Sequence, residues 1–274
     1  MTSNVAAPLT AARIVDQVVA AVGVPPRPAT VDGIVAGDPA AAVTGIAVTV
    51  AATLDVLQRA AAIGANLVIT HEPLYYDHGN AAEAALAADH DPVYLAKRDL
   101  IARHNLVVWR LHDQWHDRRP DGVAEGTRRA LGWEPPAGDG LYTVPATTLA
   151  ELAAQVAGAL GAEAARFVGA PDQPVQRVGF NLGFCGFERN RRALAQPGLD
   201  ALVIGEGHEW EIGEYLADAA TLAADGAGPA KGLVVVGHYP SEEAGQVLLA
   251  EWLAEILSGV EVTLVRAGDP YRSA

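Results

Sequence analysis

The chain has 274 residues, half of them hydrophobic but few aromatic, and a formal net charge of −14. That length and apolar content suit one large domain or two ordinary ones and exclude a disordered chain. The negative charge excludes a general nucleic-acid-binding role, which needs a basic face for phosphates. The single cysteine, Cys185, excludes an internal disulfide framework and a thiolate-rich zinc site.

In chain order, the N-terminal stretch has no basic region, and Asp16 interrupts its apolar residues, so it does not read as a secretory signal. No uncharged apolar run reaches the roughly 18–20 residues that cross a bilayer. The expectation is therefore a cytoplasmic protein with no membrane partner. Residues 10–23 read as an amphipathic helix that the Pro-rich stretch after Val24 ends. A strand over Val43–Ala51, a helix over Leu54–Ile63 and a strand over Leu67–Thr70 follow. The pattern recurs as a helix over Val93–Arg103 and a strand over Leu106–Trp109.

The segment 121–141 reads as a short helix and a Pro/Gly-rich joint. A domain boundary is expected there, giving domains 1–132 and 133–274. Beyond it come a strand at Leu141–Val144 and a helix at Thr148–Leu160, then strands at Ala165–Val168, Arg177–Leu182, Leu202–Ile204 and Leu233–Val236. A helix over 241–257 and a strand over Val260–Val265 close the chain. The Ala/Val-rich apolar residues and the alternation of helices with short apolar strands predict an α/β fold. Two three-layer domains with mostly parallel sheets are expected.

Four apolar strands run into ionisable residues: LVIT into His71-Glu72, LVVWRL into His112, LVIG into Glu206, and LVVVG into His238. Ligands of open parallel sheets bind outside the carboxyl ends of the strands, so these residues can converge. A lone His after a strand is more often a hydrogen-bonded structural residue. Three of them, two with a Glu nearby, favour a metal or catalytic cluster. Imidazole and carboxylate without thiolate suit zinc, manganese or iron. His238 and Glu242 are four apart at a strand-to-helix junction, so one turn brings them to the same side, with Ser241 expected as the N-cap. Glu243 reads as a first-turn acid complementing the helix dipole. His112 and His116 are also four apart, beside Asp113 and Asp117. His78, His90 and His104 read as surface histidines, and His208 as half site rim, half polar loop.

Three motifs carry a family resemblance: Thr70-His71-Glu72-Pro73, the His112–His116 segment followed by Asp121-Gly122, and Gly237-His238-Tyr239-Pro240-Ser241-Glu242. With these the chain resembles the Nif-three-like (NGG one interacting factor three-like) dinuclear metal-centre proteins, also called GTP cyclohydrolase 1 type 2 homologues. The resemblance covers most of the chain. It implies the Nif-three-like fold and two divalent metal ions held by His71, Glu72, His116, His238 and Glu242. It also implies a homo-oligomer, a ring-shaped hexamer. Glu72 stands where the family has His, and His116 where it has Asp, an exchange that keeps one imidazole and one carboxylate. Of the family's amino-terminal Trp-Asp-Asn-x-Gly-Leu stretch, only Gly33-Ile34 and Gly37 give an echo.

The expected activity is metal-dependent hydrolysis of a small-molecule substrate by a dinuclear centre. A purine nucleotide is suggested by the resemblance alone. His112 is the expected general acid, oriented by Asp113, with Glu206 as the fallback. The alternative is a metal-binding interaction or regulatory protein without catalysis.

Overall fold

The computed structural model describes residues 9–136 and 138–273. The first eight residues, part of the stretch read against a secretory signal, and Ala137, in the expected joint, lie outside them. The chain divides into two compact units, residues 1–122 with 246–267, and residues 123–245 with 268–274.

The first unit opens with α1 (Ala11–Val22), capped by the Thr10 hydroxyl and ended by left-handed Gly23. Strands β1 (Gly33–Ala36) and β2 (Ile46–Thr49) follow, then α2 (Leu54–Ala62), β3 (Leu67–Thr70), α3 (Ala82–Ala88), α4 (Pro92–Arg103), β4 (Val107–Arg110) and the single turn α5 (Asp113–Asp117). All four residues of β2, β3 and β4 are buried, as their unbroken apolar runs require of strands covered on both faces. Ala47, Val68 and Val108 pack against Val56, Leu57 and Ala60 of α2 and Tyr94, Leu100 and Ile101 of α4.

The second unit begins with α6 (Gly122–Ala130), β5 (Tyr142–Thr148) and α7 (Leu149–Leu160). It continues through β6 (Arg166–Val168), β7 (Pro174–Phe184), α8 (Gly186–Leu194) and β8 (Ala201–Glu206). A π-helical turn (Glu209–Gly213), α9 (Glu214–Ala224) and β9 (Gly232–Val235) complete it. Its sheet is ordered β5-β7-β8-β9-β6, with a parallel centre and antiparallel flanks. On one face α7 buries Leu149, Leu152 and Val156 against Val178, Val203 and Val234. On the other, Leu194, Ile212 and Leu216 pack on Leu202, Ile204 and Leu233. This is the expected three-layer α/β arrangement.

Helix α10 (His238–Ile256) gives its first turns to the second unit and the rest to the first. It begins at His238, three residues before the expected cap, with Pro240 in the first turn where its missing N–H costs nothing. Ser241 is therefore inside the helix and is not its N-cap: its hydroxyl donates to the His238 carbonyl at 2.6 Å and accepts from Gly183 N at 2.9 Å. The last strand, β10 (Val262–Leu264), pairs in parallel with β2, so this part of the expected 133–274 domain belongs to the first sheet, ordered β1-β4-β3-β2-β10. No described helix is long and apolar enough to cross a membrane.

Candidate metal centre

In the first unit β3 and β4 are parallel neighbours with Thr70 opposite Arg110, so the residues after them emerge at the same sheet edge. His71 follows β3 directly, His112 immediately precedes the single turn α5, and His116 lies within it. The His71 and His112 rings stack with centroids 4.4 Å apart, and His116 meets them at 5.0 and 4.9 Å. One ligand-capable nitrogen from each of the three lies within 4.8 Å of the others. His71 is fully buried.

A five-residue helix does not form on its own propensity, because nucleation is unfavourable. Asp32 supplies the missing partner: its carboxylate accepts the backbone N–H groups of His112, Asp113 and Gln114 at 2.6, 2.8 and 2.9 Å. It caps α5 from 80 residues away and fixes the spacing of His112 and His116. Fully buried Arg110 does the same for the loop after β3. Its guanidinium donates to the carbonyls of His71 and His78 at 3.2 and 2.7 Å and lies 3.0 Å from His78 Nδ1.

Two of these imidazoles have Nδ1 held by a carboxylate. His112 Nδ1 lies 3.2 Å from Asp113 Oδ1, and His116 Nδ1 lies 3.0 Å from Asp121 Oδ2. A carboxylate at one ring nitrogen fixes the tautomer and orientation that present the other to a cation. Burial, then the neighbouring His116, pushes the His112 imidazole down to about 4, against an opposing pull from Glu72. Three rings this close cannot all carry protons, and metal binding requires the neutral form. Burial works to raise Asp113, but hydrogen bonds from Val31 N, Thr30 and His112 outweigh it and hold the carboxyl below the usual range. Arg27 adds an ion pair at 2.7 Å.

In the second unit β8 ends at Glu206 and α10 opens with His238. His238 Nδ1 lies 3.0 Å from Glu206 Oε1, and its Nε2 lies 3.2 Å from Glu242 Oε2, one helical turn on. The Glu242 side chain is almost fully buried. Gly183, at φ 60°, sits where a Cβ would collide with the Glu242 carboxylate and crowd His238 Nε2, so only glycine leaves room for this pair.

Within the first unit, then, His71, His112 and His116 come together, with Glu72 next in the chain. Within the second, His238, Glu242 and Glu206 do. Imidazoles and carboxylates held by further carboxylates make a donor set that fits a first-row divalent ion. His112 stands among the ligand-capable nitrogens, where a general acid was expected. His78 is exposed, as a surface histidine was expected to be, but Arg110 binds it and its ring lies 5.0 Å from that of His112. The positioning residues Asp32 and Arg110 escaped the sequence reading. The signal for Arg110 was a charged residue closing an otherwise apolar strand.

No curated protein matches the chain in sequence. Solved structures match along almost its whole length. A Staphylococcus aureus hypothetical protein, SA1388, has a TM-score of 0.75 at 18% identity, covering 98% of this chain and 100% of its own. A Bacillus cereus protein related to NIF3 has a TM-score of 0.69 at 13% identity, with 97% and 98% covered. Reduced HcgD from Methanocaldococcus jannaschii has a TM-score of 0.65 at 14% identity, with 93% and 97% covered. At these identities the likeness shows the fold. The model of the Duf34/NIF3 (NGG1p interacting factor 3) family matches residues 29–270, and the chain belongs to that family.

Proposed function

We propose that the protein is a divalent-metal-dependent hydrolase of a small-molecule substrate. The ligands that the family resemblance implies are His71, Glu72, His116, His238 and Glu242. The observation that carries the reading is the convergence of the His71, His112 and His116 ring nitrogens within 4.8 Å, where burial pushes the His112 imidazole down to about 4. When bound, a pair of divalent ions supplies Lewis acidity, polarising a carbonyl or phosphoryl oxygen and acidifying water.

The chain's own residues do the rest. Asp121 holds His116 through Nδ1, and Glu206 holds His238 in the same way. Asp113 orients His112, whose ring is neutral near pH 7 and so suits a ligand or a proton acceptor better than the general acid first expected. Glu206, half exposed beside His238, stays the fallback for proton transfer. The molecule is proposed to work in the cytoplasm as a closed homo-oligomer, a hexamer by family resemblance.

The test is metal analysis of the purified protein and of the separate His71→Ala and His238→Ala variants. Each substitution should lower bound metal to half or less. Unchanged metal in both would overturn the proposal. Full metal loading with no turnover on a panel of nucleotides, phosphoesters and amides would leave a metal-binding protein without hydrolysis.

A further inference from the structure

Within the first unit, the loop after β3 is held in one shape around His78. The Asp77 carbonyl accepts from Asn80 N at 3.0 Å, closing a tight turn with His78 and Gly79 at its tip. The Asp77 carboxylate accepts from Ala81 N at 2.6 Å. Buried Arg110, the last residue of β4, grips the tip twice. Its Nη1 donates to the His78 carbonyl at 2.7 Å, and its Nη2 lies 3.0 Å from His78 Nδ1. A guanidinium has donors only, so Nδ1 is the acceptor and the ring proton sits on Nε2.

The ring fixed in this way is exposed, yet it borders the histidine cluster. It meets the His112 ring nearly at a right angle, with centroids 5.0 Å apart. His112 in turn stacks on His71 and meets His116. The needs of Arg110 alone do not account for this arrangement. A carboxylate is the stronger partner for a guanidinium. One stands next in the chain at Asp77, but it engages Ala81 N while the fork takes an imidazole. Fixing an exposed ring costs side-chain freedom and gains no burial, whereas a group that must meet a ligand benefits from being held in advance.

We propose that His78 is a further catalytic residue of the first unit. Its Nε2–H donates a hydrogen bond to a substrate oxygen at the His71–His112–His116 cluster and stabilises the negative charge that develops on it. The proposal rests on the metal-dependent reading for the chemistry at the cluster, and it adds a residue that reading does not use. His78 does not transfer a proton. Losing the one on Nε2 would leave an imidazolate, and gaining one on Nδ1 would break the bond from Arg110. The ring acts as a fixed dipole, oriented by a buried cation behind it.

The experiment titrates the full-length protein with inorganic phosphate, with and without added zinc, and measures bound zinc in parallel. Zinc-loaded wild type should bind phosphate. His78→Ala should bind it about tenfold or more weakly, as expected for loss of a hydrogen bond to a charged group. His78→Gln offers Arg110 an acceptor and still carries an N–H, so it should retain most of the affinity. Bound zinc should be equal in all three. Proton–nitrogen NMR of the metal-free protein with isotope-labelled histidine reads the tautomer, the His78 signals being those lost in His78→Gln. Nε2–H is expected, and a proton on Nδ1 would overturn the proposal whatever the metal content. So would equal phosphate binding by wild type and His78→Ala, or none by zinc-loaded wild type. Loss of zinc from both variants would also overturn it, because His78 would then be a ligand. Wild type that binds no zinc would sink the metal reading. Phosphate binding that still depended on His78 would then uphold the donor, and its absence would overturn it.

Discussion

His116 Nδ1 lies 3.0 Å from Asp121 Oδ2, so the chain fixes the orientation of this imidazole through one of its two ring nitrogens. Asp121 sits five residues on, after α5 has ended, and can orient the ring without competing for the same nitrogen. Carboxylates in this position typically change metal affinity 10–100-fold. Asp121→Ala should therefore weaken metal binding by about that factor, read by competition with a chelator, while the protein stays folded. An unchanged affinity would remove His116 from the ligands.

The exchange of residue types at Glu72 and His116 makes a second prediction. If both bind metal, Glu72→His combined with His116→Asp should retain more metal than either single change. Residues that share a site are coupled, so the single effects should not add. Additive losses in the double-mutant cycle would place one of the two outside the site.

Asp32 accepts three consecutive backbone N–H groups at the start of α5, where the N-cap residue His112 makes no side-chain capping bond of its own. Asp32→Ala would leave those donors without their acceptor and release the turn that carries His112 and His116. The expected loss is on the order of 2–4 kcal/mol, since bonds to a charged group are each worth more than neutral ones. Urea unfolding of the metal-free protein measures it, and metal affinity should fall as well. A midpoint within experimental error of wild type would show that α5 forms without the cap.

These residues mark where the sequence was legible. Strands β2, β3 and β4 were readable because burial on both faces demands unbroken apolar runs, and α7 because Thr148 and Glu151 form a capping box. The strand-end histidines followed from those strands. Edge strand β1 is half-buried and only four residues long, so no period stands out. Turn α5 depends on a carboxylate 80 residues away, which no local pattern records. Val262–Leu264 was readable as a strand, but its pairing with β2 is a long-range choice that local periodicity does not encode. The mostly polar α8 and the π-helical turn before α9 lack a continuous apolar stripe and were not predicted.

The last prediction concerns Lys97, a buried ammonium on α4 that stabilises the loop after β3. Its Nζ donates to the Leu74 carbonyl at 2.7 Å and lies 4.9 Å from the Tyr76 ring centroid. The residue is 3% exposed, and burial pushes its pKa down to about 8 from the ordinary 10.5. Below pH 8 the folded and unfolded chains both carry the proton, and the folded state bears the cost of the buried charge. Between about 8 and 10.5 the folded chain has released the proton while the unfolded chain keeps it, so stability rises with pH. The full relief amounts to at most roughly 3–3.5 kcal/mol. Lys97→Met has no such proton, so the stability of wild type relative to this variant should climb between pH 8 and 9.5. Burial pushes the nearby Tyr75 up to about 12, so its own effect is a loss of stability that begins only near pH 10, where the unfolded tyrosine ionises. Keeping below pH 9.5 therefore isolates the lysine. Urea unfolding of both metal-free proteins at pH 7.5, 8.5 and 9.5 gives the comparison. A constant difference across that range would mean that Lys97 keeps an ordinary pKa and that its ammonium is hydrated.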